Sequence, residues 1–158
     1  MRRGRSSAGF TLIELLVVIA IIAIVAAIAI MNYLGSVERA RQKRTMADIR
    51  SIAQAWETRN SESGQYTAAG FSFPSATPYD SMVNTLVPTY MRNIPRVDGW
   101  GRPLQFGTQG KIYGIRSSGR DGVYETDSYE QGAGENPDCD IVYANGNFVR
   151  YPDIVQGQ

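Results

Sequence analysis

The chain has 158 residues, 43% of them apolar and 20% charged, with a formal net charge of +1. That describes one ordinary folded domain, and excludes a multidomain machine and a disordered polyelectrolyte. With no histidine and one cysteine, Cys139, the chain cannot supply a Cys/His zinc set, a Ser-His-Asp triad, a Cys-His pair or an internal disulfide. Most familiar catalytic chemistry is removed, and the expectation is a protein that is not an enzyme.

The apolar residues are concentrated near the start. Phe10 to Met31 is a run of 22 residues interrupted only by Thr11 and Glu14, and Leu15 to Met31 holds 17 residues without a polar side chain. A helix of the longer run measures about 33 Å, enough to cross a bilayer core. Before it lies a short basic tail, Arg2, Arg3 and Arg5 with Gly4, Ser6 and Ser7, which the positive-inside rule keeps in the cytoplasm. A bare count of Arg39, Arg41, Lys43, Arg44 and Arg50 beyond the span favours the opposite orientation. The charge rule, however, is read over short loops, and the long domain after Met31 is of the kind that translocates largely regardless of charge.

Three readings compete for this segment. A secretory signal cut at Ala27-Ile28-Ala29 would release a soluble protein, but its apolar region is longer than such a signal needs. A plain single-pass anchor explains the length. Neither gives Glu14 a purpose, and a carboxylate in an apolar span costs about 2.5–3.5 kcal/mol at the centre and less near the edge, so it needs a partner. The nearest embedded cation would be a new α-amino group, created by a cut between Gly9 and Phe10.

Gly9-Phe10-Thr11-Leu12-Ile13-Glu14-Leu15-Leu16-Val17-Val18-Ile19-Ala20 closely resembles the prepilin motif of type IV pilins and of the pseudopilins of type II secretion systems. The resemblance implies that a prepilin peptidase cuts after Gly9 and methylates the amine of Phe10. It also implies that Glu14 serves subunit assembly. An ammonium on one subunit and a carboxylate on its neighbour can pair in a low-dielectric filament core and set axial register.

Further along, Ala20, Ala23 and Ala27 form a narrow stripe suited to close helix packing, although alanine is also simply common in apolar helices. Val37 to Arg59 carries six basic and three acidic residues, with Met46, Ile49, Ile52, Ala53 and Trp56 at spacings of three and four, the pattern of an amphipathic helix. No strong breaker separates it from the span, so one helix from Phe10 to about Arg59 is expected, weakest at Asn32 and Gly35. Its second half would pack on the domain. Many members of the resembled family have a proline at the position aligned with Met31, and its absence here argues against a proline kink. The basic run Arg39-Ala40-Arg41-Gln42-Lys43-Arg44 reads as a solvated or lipid-facing helix surface rather than a nucleic-acid site. It lacks interleaved aromatics, and without residues 1–9, which hold three of the 16 basic and none of the 15 acidic residues, the net charge is −2.

Asn60 to Arg96 is rich in glycine, proline and serine and reads as a structured loop region with a short helix over Ser81 to Leu86. Tyr66, Phe71, Phe73 and Tyr90 are expected to anchor it to the core. Two hairpins follow. Pro103 to Phe106 and Lys111 to Ile115 flank Gly107 to Gly110, while Ile141 to Ala144 and Asn147 to Tyr151 flank Asn145-Gly146, whose residues suit the positive φ angles of a type I′ turn.

Between Arg120 and Ile141 lie seven carboxylates and no positive charge: Asp121, Glu125, Asp127, Glu130, Glu135, Asp138 and Asp140. The segment is either a solvated acidic loop or a site for a cation, and calcium is the physical choice because it takes six to eight oxygens in flexible geometry. Asp98-Gly99-Trp100-Gly101-Arg102-Pro103, then Ser118-Gly119-Arg120-Asp121-Gly122, then Asp140-Ile141 are similar to the C-terminal half of the major pseudopilins, in which such a loop binds calcium. The resemblance implies Asp121 and Asp140 as ligands, with Asp127 and Asp138 as additions. Cys139 stands where relatives often have an aspartate, Gly99 where they have a proline, and this loop is longer than theirs. One cysteine cannot close the disulfide found in many type IV pilins, which favours the pseudopilin side of the family.

The expected fold is α+β and pilin-like: a long N-terminal helix packed on a small antiparallel sheet with a long loop region. The expected divisions are a leader, 1–9; a transmembrane and assembly helix, 10–31; an amphipathic helix, 32–60; and a globular domain, 61–158. The resemblance implies a single-pass inner-membrane protein with a periplasmic C-terminal domain. It would self-associate into a helical filament, a pseudopilus of type II protein secretion, with prepilin peptidase, other pseudopilins and an inner-membrane assembly platform as partners. The alternatives are a type IV pilin for adhesion, motility or DNA uptake, and an anchored periplasmic domain that never polymerises.

Overall fold

The computed structural model describes residues 9–61, 71–72, 76–77, 79–109, 112–134, 136 and 138–153. Two compact units divide the chain, 1–38 and 39–158. Helix α1, Leu12–Asn60, belongs to both, and neither Asn32 nor Gly35 interrupts it. In the first unit the apolar side chains from Phe10 to Leu34 are exposed. The helix is long and apolar enough there to cross a membrane.

In the second unit α1 presents one face. Gln42, Thr45, Ile49, Ile52 and Ala53 recur at spacings of three and four, and all are buried. Ile49 and Ile52 are fully enclosed by a core that includes Leu86, Ile94, Phe106 and Ile115, and each contributes about 1.5–3 kcal/mol through burial. Met46 and Trp56, predicted on the same stripe, sit at its half-buried margin. The short helix α2 runs from Tyr79 to Leu86 and turns Met82 and Leu86 inward.

Among the described residues there are eight strands, two before α2 and six after it: β1 Phe71–Ser72, β2 Ala76–Thr77, β3 Gln105–Gln109, β4 Ile112–Ser117, β5 Ser128–Tyr129, β6 Gly132–Gly134, β7 Ile141–Ala144 and β8 Asn147–Pro152. Six form one sheet in the order β2-β3-β4-β7-β8-β6, and β1 pairs with β5. Both predicted hairpins are present, β3 with β4 and β7 with β8. Gly107, expected in the first turn, lies inside β3 opposite Gly114. Asn145 and Gly146 have φ of 44° and 97°, the positive pair that a type I′ turn requires. Asn145 is fixed further by its Oδ1, which accepts the Tyr113 backbone N–H at 3.1 Å.

The sheet is not wholly antiparallel: β6 pairs in parallel with β8. The reason is connectivity, since the acidic segment leaves β4, crosses the sheet and adds β6 at the far edge before returning through β7. Tyr90 is 40% exposed and anchors no core. It follows α2 in a turn whose inward positions are taken by Leu86 and Ile94. Tyr66, Phe73 and the side chain of Phe71 lie outside the described residues.

Candidate functional site

Gly9 and Phe10 precede α1, and Phe10 is exposed. The helix begins in a capping box. Glu14 Oε2 accepts the Thr11 backbone N–H at 2.9 Å and the Thr11 hydroxyl at 2.7 Å, while Thr11 Oγ1 accepts the Glu14 N–H at 3.3 Å. Sequence reasoning left Glu14 without a partner inside its own chain, and the structure supplies one three residues away. The signal was the Thr-x-x-Glu spacing at an apolar helix start. The first two of these hydrogen bonds converge on Oε2, and their donor residue, Thr11, lies after the Gly9–Phe10 bond.

The Asp98-Gly99-Trp100-Gly101-Arg102 turn is a docking device. Buried Asp98 closes it, with Oδ1 accepting from the N–H groups of Trp100 and Arg102 at 2.9 Å each and Oδ2 accepting from the Ser117 hydroxyl at 2.7 Å. Gly99 presses on α1: its N–H donates to Thr45 Oγ1 at 2.8 Å, and a Cβ there would lie 2.5 Å from the Arg41 carbonyl oxygen. On the other side Arg102 Nη1 donates to the Gly119 carbonyl at 3.2 Å and lies over Gly122. One turn therefore joins α1 to the start of the acidic segment.

Within that segment the predicted ligands have different surroundings. Asp121 is exposed, and its Oδ1 caps the local turn by accepting the Val123 N–H at 3.0 Å. Asp127, its side chain 77% exposed, pairs with Arg116 at 2.8 Å. Asp138 pairs with Arg120, whose Nη2 donates to Oδ2 at 3.0 Å. Asp140 is fully buried, and its Oδ2 accepts the Tyr129 hydroxyl at 2.7 Å and the Glu125 N–H at 2.9 Å. The segment without a basic residue thus meets Arg116 and Arg120 in space, and Arg150 approaches Glu125 at 3.7 Å.

Among the described residues two buried carboxylate oxygens accept no hydrogen bond, Asp138 Oδ1 and Asp140 Oδ1. The first still has a charge beside it, since Arg120 Nε pairs with it. Asp140 Oδ1 has no such neighbour among the described residues, and a buried orphan acceptor of this kind costs about 1–3 kcal/mol or more unless a cation meets it. Burial is the main cause holding the Asp140 carboxyl above its usual range. Burial first and Asp140 second push the Tyr129 hydroxyl far above an ordinary phenol. Oxygen-only donors and an orphaned Oδ1 suit calcium in kind. Among the described residues, however, no three His, Cys, Asp or Glu side chains gather as a metal cluster, and Glu135 lies outside them. Cys139 is buried, and that burial pushes its thiol up to about 11, so it is inert at neutral pH.

A family model described as the prokaryotic N-terminal methylation motif matches residues 4–30, and one described as type II secretion system (T2SS), protein G, matches residues 32–136. The type II secretion system core protein G of Klebsiella michiganensis is 34% identical over 134 residues, covering 80% of this chain and 92% of the relative. That of Aeromonas hydrophila is 32% identical over 136 residues, 78% of this chain and 90% of its own. That of Pseudomonas aeruginosa is 30% identical over 140 residues, 78% and 93%. No solved structure gives a significant match.

Proposed function

Because the chain belongs to the type II secretion system protein G family, a family of structural pseudopilins, we propose that it is stored in the inner membrane and polymerises into a pseudopilus without catalysing a reaction. The observation that carries this reading is the methylation-motif match over residues 4–30, immediately before the protein G match. Prepilin peptidase cuts between Gly9 and Phe10 and methylates Phe10. Phe10 to Met31 holds the subunit in the bilayer with the basic tail in the cytoplasm and the globular domain in the periplasm. Other pseudopilins and an inner-membrane platform are the assembly partners, and the filament extends in the periplasm.

In the filament Glu14 of one subunit pairs with the Phe10 amine of the next. Its Oε2 is already held by Thr11, which fixes the carboxylate at the helix start. The test is a mass spectrum of the protein extracted from membranes, expected to show a mature chain beginning at methylated Phe10. A start at Met1 in a host with an active prepilin peptidase would overturn processing. Glu14→Ala should leave insertion and cleavage intact and abolish filaments, and normal secretion by that variant would favour a non-polymerising anchored domain.

Calcium at the acidic loop is a second part of the reading, favoured by the buried Asp140 Oδ1 that accepts no hydrogen bond. Asp140 would hold the ion, with Asp121, Asp127 and Asp138 as the further carboxylates, the last two exchanging part of their pairing with Arg116 and Arg120. Bound calcium would offset carboxylate crowding and tie the loop to the start of β7. A chelator is expected to lower the melting temperature, and Asp121→Ala to remove that response. An unchanged melting temperature on chelation would sink the calcium reading and leave the filament reading standing.

A further inference from the structure

Four of the six residues from Arg39 to Arg44 are basic, and they open the 39–158 unit. Over residues 36–46 the single carboxylate is Glu38. Gln42 and Thr45 turn into the unit, which leaves Arg41, Lys43 and Arg44 exposed and Arg39 half-buried. Arg50, also exposed, stands two turns beyond Lys43 on the same side of α1. Arg44 Nε pairs with Asp48 at 3.6 Å, but the Arg44 side chain is 70% exposed. A pair so open to water is weak and leaves the guanidinium ready to exchange partners.

Chain length limits where these cations can be. Leu34 closes the run of exposed apolar side chains that starts at Phe10, and Arg39 follows five residues later. Five residues reach at most about 18 Å, and the field of a charged surface acts over a further 10 Å or so at 0.1 M salt. Tyr33, 68% exposed and two residues past Met31, stands at the place in the chain where interfacial aromatics mark the edge of a span. Apolar surface flanks the basic run within its own unit. Gly99 is seated on α1, where a Cβ would meet the Arg41 carbonyl oxygen at 2.5 Å, so half-buried Trp100 stands beside the run. Val97, two residues before Gly99, is 40% exposed, and Val123, next to the Gly122 that Arg102 covers, is 64% exposed. Cations bordered by tryptophan and aliphatic side chains have the composition of a surface that lies in the headgroup layer. An acidic protein partner would need the cations alone.

We propose that Arg39, Arg41, Lys43 and Arg44 bind the phosphates of anionic phospholipids in the leaflet on the C-terminal side of the span. The proposal rests on the membrane-anchored reading above and adds to it the class of lipid that the 39–158 unit selects. Three of the four cations are arginines, whose planar guanidinium takes two phosphate oxygens at once. Each basic residue close to a charged membrane surface gives about a five-fold bias toward anionic lipid. The run therefore holds the unit against the membrane while the subunit is stored, and extraction of the subunit has to break these contacts.

The experiment is amine acylation of the full chain in lipid nanodiscs, one copy to a disc, with an uncharged reagent and peptide mass spectra as the readout. The chain has two lysines, Lys43 inside the run and Lys111 far from it in sequence, so Lys111 is the internal reference. At 0.1 M salt, Lys43 is expected to react about five-fold more slowly in discs containing phosphatidylglycerol than in discs of phosphatidylcholine alone, with Lys111 unchanged. At 1 M salt, where the screening length falls to about 3 Å, the difference should vanish. Arg41→Gln combined with Arg44→Gln should remove most of it at either salt. Equal Lys43 rates in the two lipids, with the chain held in the discs, overturn the proposal and leave the anchoring reading intact. Equal slowing of Lys43 and Lys111 overturns it as well, since a diffuse field would then act on the whole unit. So does protection of Lys43 in phosphatidylcholine that appears only when two copies share a disc, which would assign the run to an acidic surface of a second copy. A chain that does not stay with the discs takes down the anchoring reading and this proposal together. If the double variant fails to fold, the comparison of the two lipids with the unaltered chain decides alone.

Discussion

Gly99→Ala tests whether the Asp98–Arg102 turn holds the globular unit onto α1. The added Cβ would lie 2.5 Å from the Arg41 carbonyl oxygen, 2.9 Å from its Cα and 3.0 Å from its carbonyl carbon. All three are helix backbone, and the Arg41 carbonyl also accepts the Thr45 hydroxyl at 2.9 Å, so α1 cannot yield. The turn must retreat instead and lengthen its 2.8 Å bond from Gly99 N–H to Thr45 Oγ1. Overpacking of about 1–3 kcal/mol and a lost hydrogen bond of about 0.5–1.5 kcal/mol give a destabilisation of about 2–4 kcal/mol. Urea denaturation in micelles followed by tryptophan fluorescence reports it, because Trp56 and Trp100 both lie in the 39–158 unit. With a slope of about 1–3 kcal/mol per molar, the midpoint should fall by about 1 M or more. Thr45→Ala alone should cost about 1 kcal/mol, and in that background Gly99→Ala should cost correspondingly less, because the same bond cannot be lost twice. A loss under about 0.5 kcal/mol for Gly99→Ala, the range of an ordinary surface change, would refute the docking argument.

Asn145→Ala should lower the same midpoint by about 1–2 kcal/mol of stability, since alanine tolerates φ of 44° poorly and leaves the Tyr113 N–H without its acceptor; Asn145→Gly should recover the part due to φ, and equal losses in the two would contradict this. The buried Cys139 thiol, pushed up to about 11, gives a pH signature. A group raised in the folded state lends stability that is whole below its unfolded value and is lost as pH rises through the folded one, so Cys139 should account for about 2 kcal/mol of the stability lost between pH 9 and 11, beside what the raised Tyr113 and Tyr129 hydroxyls lose there. Cys139→Ala should flatten that decline, and an equally steep decline in the variant would assign it elsewhere. At pH 8 iodoacetamide should leave Cys139 untouched in the folded protein and modify it promptly in urea, as peptide mass spectra would report.

Much of the fold was legible because the controlling signals are local. The apolar run and the stripe through Ile49, Ile52 and Ala53 are periodicities within one helix. The Asn145-Gly146 turn is written in two adjacent residues whose φ angles are positive. What escaped was non-local. Strands β5 and β6 are two and three residues long, too short to show a period, and β6 is created by its parallel partner β8 rather than by its own Gly-Ala-Gly sequence. Tyr90 carried the right residue type for an anchor, but its turn spends the inward positions on Leu86 and Ile94.

The same division explains the sites. Gly9, Phe10 and Glu14 lie within six residues, so their chemistry can be read along the chain, and the Thr11–Glu14 capping box is an equally local signal, carried by the Thr-x-x-Glu spacing. The acidic loop could be found by composition but not resolved, because what sorts its carboxylates comes from elsewhere: Arg116 takes Asp127, Arg120 takes Asp138, and Tyr129 with the Glu125 N–H takes one oxygen of Asp140. A count of charges made these aspartates equivalent, and burial separates them. Among the described residues of the segment, only Asp140 is both enclosed and left with an oxygen that has neither a hydrogen bond nor a paired cation. The Asp98 carboxylate joins the Trp100 and Arg102 amides to Ser117, Gly99 of the same turn grips Thr45, and Arg102 grips Gly119. A subunit whose work is assembly has therefore connected the helix face that packs on its globular unit to its most strongly charged loop through five consecutive residues. That is a physical reason for Asp-Gly-Trp-Gly-Arg to stand together, which spacing alone did not supply.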